Sequence, residues 1–261
     1  MNDSAARSDA EMHVGARFLS AEWRYLLILN YEVAREALLP LVPAGTELDL
    51  FEGRALFSVV GFRFLRARVM GVAVPGHVDF DEVNLRFYVR RRVGSGEFRR
   101  GVVFAREMVP RVAIAAMARL AYNEPYGACR MRSSVPRGVT DNPGLVEYSW
   151  QTEGGWEGIS ATATGVATVP AEGTEAAFIT EHYWGYTRQR DGGTVEYRVA
   201  HPVWRVWSVQ GAACSRGAAG FYGGRFAGPI AGGACSAFVA EGSEVEVFWP
   251  RRVVREANVQ P

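Results

Sequence analysis

The hydrophobic and polar positions of this chain alternate most strictly in residues 80–90, FDEVNLRFYVR. One face of this segment is apolar and is formed by Val83, Leu85, Phe87 and Val89. The other face is polar and carries Glu82, Asn84, Arg86, Tyr88 and Arg90. A period of two with β-branched and aromatic residues predicts a β-strand, whose polar side chains follow one another at about 7 Å. This polar row is either a solvated face or the wall of a polar cavity.

Similar patterns predict a chain built mainly of strands. Further strands are predicted at residues 25–29, 47–51, 54–65, 101–105, 128–133, 145–151, 158–166, 177–188, 194–198, 204–210, 236–241 and 243–249. Helices are predicted at 32–41 and after Pro110, and residues 212–233 are predicted as a helix followed by a loop. We expect a mostly β (α+β) fold, an antiparallel β-barrel or cone with a few peripheral helices. Residues 18–252 form its single domain, after a disordered leader (1–17) and before a flexible tail (253–261).

Composition and charge exclude several classes of protein. The net charge of +1 argues against a nucleic-acid partner, and no apolar run reaches the ~18 residues that span a bilayer. The three cysteines are far apart and form no CxxC pair, which argues against a disulfide framework or a cysteine zinc site. We therefore predict a cytoplasmic protein with no membrane or nucleic-acid partner. A homo-oligomer is compatible with the predicted sheet edges and the many aromatic residues.

The chain contains no lysine, so all 29 of its basic Lys and Arg residues are arginine. A Schiff base with a carbonyl substrate requires a lysine amine, and this chemistry is therefore excluded.

The histidines and acidic residues suggest no metal site. His77, Asp79, Asp81 and Glu82 match no ligand spacing and are predicted to lie largely in a solvated loop. His182 and His201 are expected to be either hydrogen-bonded or exposed. We predict neither a metal nor a cofactor.

Several segments resemble a large bacterial family of unknown function, the YqjF-like group. They are residues 21–24 (AEWR), 41–49 (LVPAGTELD), 82–89 (EVNLRFYV), 123–126 (NEPY), 181–186 (EHYWGY) and 236–239 (SAFV). The resemblance implies an acetoacetate decarboxylase-like fold, which is a cone of antiparallel strands around an internal cavity.

The resemblance also implies which residues face that cavity. The decarboxylases carry a glutamate on a central strand, then a hairpin, an alanine-rich helix and Pro-Lys-Lys, whose first lysine forms the Schiff base. Glu82 matches the glutamate, residues 113–119 match the helix, and Pro125-Tyr126-Gly127 replaces Pro-Lys-Lys. The active-site arginine of the decarboxylases has no clear match, because the corresponding strand ends in Tyr31. Acetoacetate decarboxylase activity is therefore predicted to be absent.

The remaining polar residues define a candidate site. Glu82, Tyr126 and Arg86 are the predicted catalytic residues, and Asn84, Tyr88 and Tyr31 are predicted to bind the ligand. A buried glutamate can move a proton, a phenol can donate to a developing oxyanion, and arginine can hold a carboxylate.

Two hypotheses about function follow. The first is a cofactor-independent lyase, hydratase or cyclase that acts on a small oxo or carboxylate compound with Glu82 as acid or base. The alternative is a non-catalytic binder or sensor of a small ligand that retains only the fold.

Overall fold

Strands make up most of the molecule, as the alternating patterns predict. The computed structural model describes residues 15–94, 96–136, 138 and 140–253. The strands of these residues are β1 (Arg17–Val33), β2 (Glu47–Leu48), β3 (Ala55–Val69), β4 (Phe80–Val93), β5 (Glu97–Val109), β6 (Tyr126–Ala128), β7 (Met131–Ser134), β8 (Leu145–Thr152), β9 (Gly155–Thr168), β10 (Trp184–Arg188), β11 (Thr194–Ala200), β12 (Val206–Cys214), β13 (Ser236–Phe248) and β14 (Arg251–Arg252). The mostly β fold class is confirmed.

Helices connect the strands. They are α1 (Arg35–Leu38), which continues as a 3₁₀ turn (Leu39–Leu41), α2 (Val112–Tyr122), α3 (Glu175–Thr180), α4 (Arg216–Tyr222) and α5 (Gly224–Gly232).

Seven strands close into a ring. Their order is β11-β10-β5-β4-β3-β1-β13, and β13 pairs back with β11 through Val199 opposite Val247. The ring is antiparallel except between β5 and β10, and the short β6 also runs parallel to β5. From β13 the sheet continues through β12, β9, β8 and β7. A ring of this kind has no free edges and can enclose a cavity.

The period-two alternation of β4 separates two packing environments. Its residues Val83, Leu85, Phe87 and Val89 are fully buried in a core that includes Trp150 of β8. The continuing strands therefore cover the apolar face of β4, and the polar face is turned towards the interior of the ring.

Residues 177–188 were predicted to form one strand, and this prediction was wrong. Helix α3 ends at Thr180, and the strand β10 begins only at Trp184. The signal for a helix is the N-cap Thr174, whose side chain accepts a hydrogen bond from the backbone N–H of Ala177.

The two strands predicted at 236–241 and 243–249 are one strand, β13, with a bend at Gly242. Gly242 has φ +78°, and a Cβ at this position would lie 1.9 Å from the carbonyl oxygen of Trp23. Only glycine fits there. A glycine between two alternating segments is also a sequence signal for a turn, and two strands were therefore predicted. The region 212–233 likewise differs from the prediction, since it contains two helices, α4 and α5, after the end of β12.

The predicted leader and tail lie mostly outside the described residues. Arg17, assigned to the leader, is the first residue of β1, and the backbone N–H of Val253 donates to the carbonyl of Thr194. Within the part of the chain that the structure describes, no helix is both long and apolar enough to cross a membrane.

Candidate functional site

A cavity of about 120 Å³ lies inside the ring, and all seven ring strands contribute to its lining. Much of the wall is aromatic and includes Trp23, Phe62, Phe64 and Phe104. Against this apolar wall lie polar and ionisable side chains from β4, β5, β6 and the segments beside them. The cavity is therefore amphipathic, which is typical of sites for small organic ligands.

Strand β4 brings Glu82, Asn84 and Arg86 to the cavity, because alternate residues of a strand point to the same face. Glu82 is 2% exposed and Arg86 9% exposed, so this polar face is not solvated. One carboxylate oxygen of Glu82, Oε1, accepts a hydrogen bond of 3.0 Å from Asn84 Nδ2. The other, Oε2, accepts one of 3.1 Å from the Tyr126 hydroxyl.

Tyr126 reaches the cavity because helix α2 ends sharply. Asn123 adopts the left-handed conformation with φ +57°, and its N–H bonds the carbonyl of Arg119. Pro125 favours an extended backbone at the residue before it, so Glu124 and Tyr126 alternate onto the same side. Both residues line the cavity.

Glu107 is a cavity residue that the sequence reasoning missed. Strand β5 would show Val102, Phe104 and Arg106 on one face under strict alternation. A bulge at Ala105 interrupts this, since Arg86 pairs with Phe104 and Leu85 already pairs with Arg106. The extra residue reverses the alternation and turns Glu107 to the cavity. There it lies opposite Asn84 in β4 and opposite Tyr126 in β6.

Glu124 was also missed, although it lies within the NEPY segment. It is 7% exposed and accepts hydrogen bonds from the hydroxyl of Tyr197 and, at 3.4 Å, from Thr187 Oγ1. Its place two residues before Tyr126 in an extended segment is a signal that could have identified it.

The pKa values of all three carboxyl groups in the cavity, Glu82, Glu107 and Glu124, are raised. Burial raises the pKa of Glu82 to about 7, although the hydrogen bonds from Asn84 and Tyr126 and the charge of Arg86 act in the other direction. Burial and the neighbouring Glu82 raise the pKa of Glu124 to about 8. Burial and both other carboxyl groups hold the pKa of Glu107 well above its usual range. Like charges in one dry site cannot all ionise at neutral pH.

Arg86 is the cation of this wall. Its guanidinium forms no ion pair with any residue in the described part of the chain, and its Nε is buried without a hydrogen-bond partner there. Arginine stays charged in proteins, so loss of a proton does not remove the desolvation cost of this buried group. The guanidinium hydrogen-bonds the hydroxyl of Tyr88, and no carboxylate of the described residues forms an ion pair with it, so this cavity provides a site for an anion.

The remaining predicted ligand-binding residues, Tyr88 and Tyr31, are both about 1% exposed. The hydroxyl of Tyr88 is paired with that of Ser58, and its ring packs beside His182 behind the cavity wall. Tyr31 stacks on Phe57 with ring centroids 5.0 Å apart, in the core on the opposite side of the sheet. The structure therefore brings Glu82, Asn84, Arg86 and Tyr126 to one cavity, and neither Tyr88 nor Tyr31 lines it.

The ring and its cavity define the class of protein. The chain has the fold of acetoacetate decarboxylase from Legionella pneumophila, with a TM-score of 0.63 and 13% identity over 92% of this chain and 88% of that one. The enduracididine biosynthesis enzyme MppR, in its complex with pyruvate, matches with a TM-score of 0.62 and 12% identity over 94% of this chain and 93% of that one. The predicted acetoacetate decarboxylase-like fold is confirmed.

The sequence assigns the chain to a family within this class. Residues 20–243 match DUF2071, described as an uncharacterized conserved protein, and the chain belongs to this family. It is 28% identical over 203 residues to the uncharacterized protein YqjF of Bacillus subtilis, and this match covers 76% of this chain and 77% of that protein. The predicted YqjF-like membership is thus confirmed.

Proposed function

We propose that this protein binds a small oxo carboxylate in the cavity and moves a proton on it, with Arg86 as the carboxylate anchor and Glu82 as the acid and base. The observation that carries this proposal is the unpaired guanidinium of Arg86 in the same cavity as the hydrogen-bonded pair Glu82–Tyr126. A guanidinium binds a carboxylate through two parallel N–H···O bonds, and a ligand anion would relieve the unpaired charge.

The spacing of Glu82 and Arg86 limits which ligands can contact both residues. Glu82 and Arg86 are four residues apart on one strand, so their Cα atoms are separated by about 13 Å. The charge of Arg86 nevertheless acts on Glu82, because it lowers the pKa of that carboxyl group. A ligand that contacts both groups binds Arg86 with its carboxylate and presents its reacting carbon to Glu82, and an apolar part can pack on the aromatic wall.

Proton transfer is the chemistry that these side chains support. In the proposed step the carboxylate of Glu82 takes a proton from the carbon next to the oxo group. The electron pair of the broken C–H bond forms the enolate, whose charge lies on the oxo oxygen. The hydroxyl of Tyr126 then donates to this oxygen, and Glu82 returns the proton. A pKa of Glu82 near 7 populates both of its charge states at neutral pH.

The comparison with MppR supports the choice of ligand class, because that enzyme of the same fold has been crystallised with pyruvate. The mechanism cannot proceed through an imine in the present chain, which has no lysine.

The experiment is hydrogen exchange of an oxo acid in D₂O. Incubation with 4-methyl-2-oxopentanoate at pH 7 should exchange the protons at C3 with deuterium faster than buffer does, as followed by proton NMR. The variant Glu82→Gln should abolish the catalysed exchange and retain binding, and the variant Glu36→Gln, at an exposed position of α1, should exchange normally.

Two results would contradict the proposal in different ways. Saturable binding without exchange would remove the catalytic role and favour the alternative, a non-catalytic binder. If neither 4-methyl-2-oxopentanoate nor pyruvate binds, or if Arg86→Met leaves binding unchanged, the proposed carboxylate site is wrong.

A further inference from the structure

A second group of ionisable residues, Asp49, His182 and Arg100, lies beside the cavity and has no part in the proposed proton transfer. Oδ2 of Asp49 accepts a hydrogen bond of 2.7 Å from Nε of Arg100 and lies 3.1 Å from Nε2 of His182. Asp49 follows strand β2 and is held by its backbone N–H, which donates to the carbonyl of Tyr88. His182, between α3 and β10, lines the cavity.

The contacts of Asp49 fix the tautomer of His182. Burial alone would raise the pKa of Asp49, but the hydrogen bonds from His182 and Arg100 outweigh it and lower the pKa. The carboxylate is therefore ionised and can only accept hydrogen bonds, so Nε2 of His182 carries the hydrogen. Burial lowers the pKa of His182 to about 4, with the charges of Arg100 and Arg86 acting in the same direction. The imidazole is thus neutral at pH 7, and its other nitrogen, Nδ1, holds a lone pair.

That lone pair is unused. His182 is 7% exposed, and Nδ1 is buried without a hydrogen-bond partner among the described residues. The ring is held in place by Tyr88 and Phe178, whose ring centroids lie 4.8 Å and 5.0 Å from that of the imidazole. A buried acceptor without a partner destabilises the protein, and a ligand that supplies a donor removes this penalty.

We propose that Nδ1 of His182 accepts a hydrogen bond from a hydroxyl group of the bound carboxylate, so that the ligand of this cavity is an oxo acid that also carries a hydroxyl group near its carboxylate end. Arg86 and His182 lie near each other, since Arg86 hydrogen-bonds the hydroxyl of Tyr88 and the ring of Tyr88 packs beside His182. Arg86 offers only donors and His182 offers one acceptor, and together they match a carboxylate next to a hydroxyl group. This inference rests on the proposed function in one respect, the binding of a carboxylate at Arg86.

The test compares two acids that differ in one hydroxyl group. Isothermal titration calorimetry at pH 7 should give a roughly tenfold lower Kd for 2-hydroxy-4-methylpentanoate than for 4-methylpentanoate, which corresponds to one buried hydrogen bond. The variant His182→Phe keeps an aromatic ring at this position and removes the acceptor at Nδ1, while Asp49 keeps its hydrogen bond from Arg100. It should bind the two acids equally, with an affinity for 4-methylpentanoate close to that of the unchanged protein. His77→Gln, in the loop between β3 and β4, should keep the tenfold preference.

The results separate this inference from the proposed function. If 4-methylpentanoate binds through Arg86 and the hydroxyl group adds nothing, the role of His182 is wrong and the carboxylate site stands. If neither acid binds, both fail together. If His182→Phe keeps the preference, the hydroxyl group contacts another acceptor and the inference is overturned.

A second measurement uses the unchanged protein, so its result does not depend on whether a variant at His182 folds. In ¹⁵N-histidine-labelled protein at pH 7, long-range ¹H–¹⁵N correlation should show a pyridine-like Nδ1 and a pyrrole-like Nε2 for His182. Addition of 2-hydroxy-4-methylpentanoate should shift the Nδ1 resonance in the direction of hydrogen-bond acceptance. A protonated imidazolium, or a hydrogen on Nδ1, would overturn the assignment. Asp49→Asn should populate the second tautomer, which identifies Asp49 as the residue that positions the ring.

Discussion

Tyr126 donates a hydrogen bond of 3.1 Å to Oε2 of Glu82, a residue 44 positions earlier in the chain. The same phenol lies opposite Glu107 in the parallel pair of β6 and β5. Burial, Glu107 and Glu82 raise the pKa of Tyr126 well above its usual range, so the hydroxyl remains a donor at every physiological pH. The phenol is therefore always the donor of this hydrogen bond, which stabilises the ionised form of Glu82.

Tyr126→Phe should raise the pKa of Glu82 further above its present value of about 7, because the ionised carboxylate loses one of its two hydrogen bonds. The carboxyl ¹³C resonance of Glu82, titrated by NMR and assigned with Glu82→Gln, should move its midpoint to higher pH. The stability should fall by only about 1 kcal/mol, the value of one hydrogen bond. An unchanged midpoint would mean that Tyr126 does not influence the charge of Glu82.

Glu124→Gln should stabilise the protein at alkaline pH. The pKa of Glu124 is about 8 in the folded state against a usual value of 4.5, so between these values the folded state holds a proton that the unfolded state has released. Stability therefore falls as the pH rises through this window, by up to about 1.4 kcal/mol per pH unit. Glutamine resembles the protonated acid and still accepts the hydrogen bonds from Tyr197 and Thr187.

Urea unfolding of this variant between pH 5 and pH 9 provides the measurement. The difference in free energy of unfolding between Glu124→Gln and the unchanged protein should grow with pH and level off above pH 8, at on the order of 3 kcal/mol. Glu36→Gln, at an exposed position, should show a difference that is small and independent of pH. A constant difference for Glu124→Gln would show that Glu124 is ionised throughout this range.

Arg86→Met should have opposite effects on stability and on binding. It removes a buried guanidinium that has no ion pair in the described part of the chain, and methionine fills much of the same volume. Thermal unfolding without ligand should occur at a higher Tm, by several degrees, and the stabilisation by 4-methyl-2-oxopentanoate should disappear. Arg90→Met, on the same strand, removes an exposed pair with Glu47 and should leave ligand stabilisation intact. A lower Tm for Arg86→Met would indicate that the guanidinium has a stabilising partner.

The sequence predicts the part of the site that follows regular alternation. Glu82, Asn84 and Arg86 reach the cavity because β4 is straight and its apolar face is needed for the core, so a period of two is sufficient. The resemblance to the decarboxylases added Tyr126, because it occupies the position of a lysine after a proline.

The residues that the sequence did not identify depend on irregular backbone. Glu107 reaches the cavity only because of the bulge at Ala105, and a bulge has no composition that distinguishes it from regular strand. His182 depends on Asp49, 133 positions away, and this pairing exists only once the ring has closed. Tyr31 was predicted to bind the ligand because it lies at the end of a strand. Its side chain is on the other face of that strand and packs in the core on the opposite side of the sheet from the cavity.

Gly242→Ala should destabilise the fold strongly, by on the order of 3 kcal/mol or more, because the bend of β13 requires a positive φ and a close approach to Trp23. The methyl group would lie 1.9 Å from the carbonyl oxygen of Trp23, a backbone atom that cannot move without disturbing β1. Strands β1 and β13 are neighbours in the ring, so the change should also distort the cavity. Urea unfolding should show a lower midpoint, and 4-methyl-2-oxopentanoate should bind more weakly. Gly220→Ala in the exposed part of α4, where an added Cβ meets no atom within 4 Å, should instead raise stability by about 0.5–1 kcal/mol through helix propensity. Equal effects of the two substitutions would show that β13 does not need its bend, and the ring would then close in a different way.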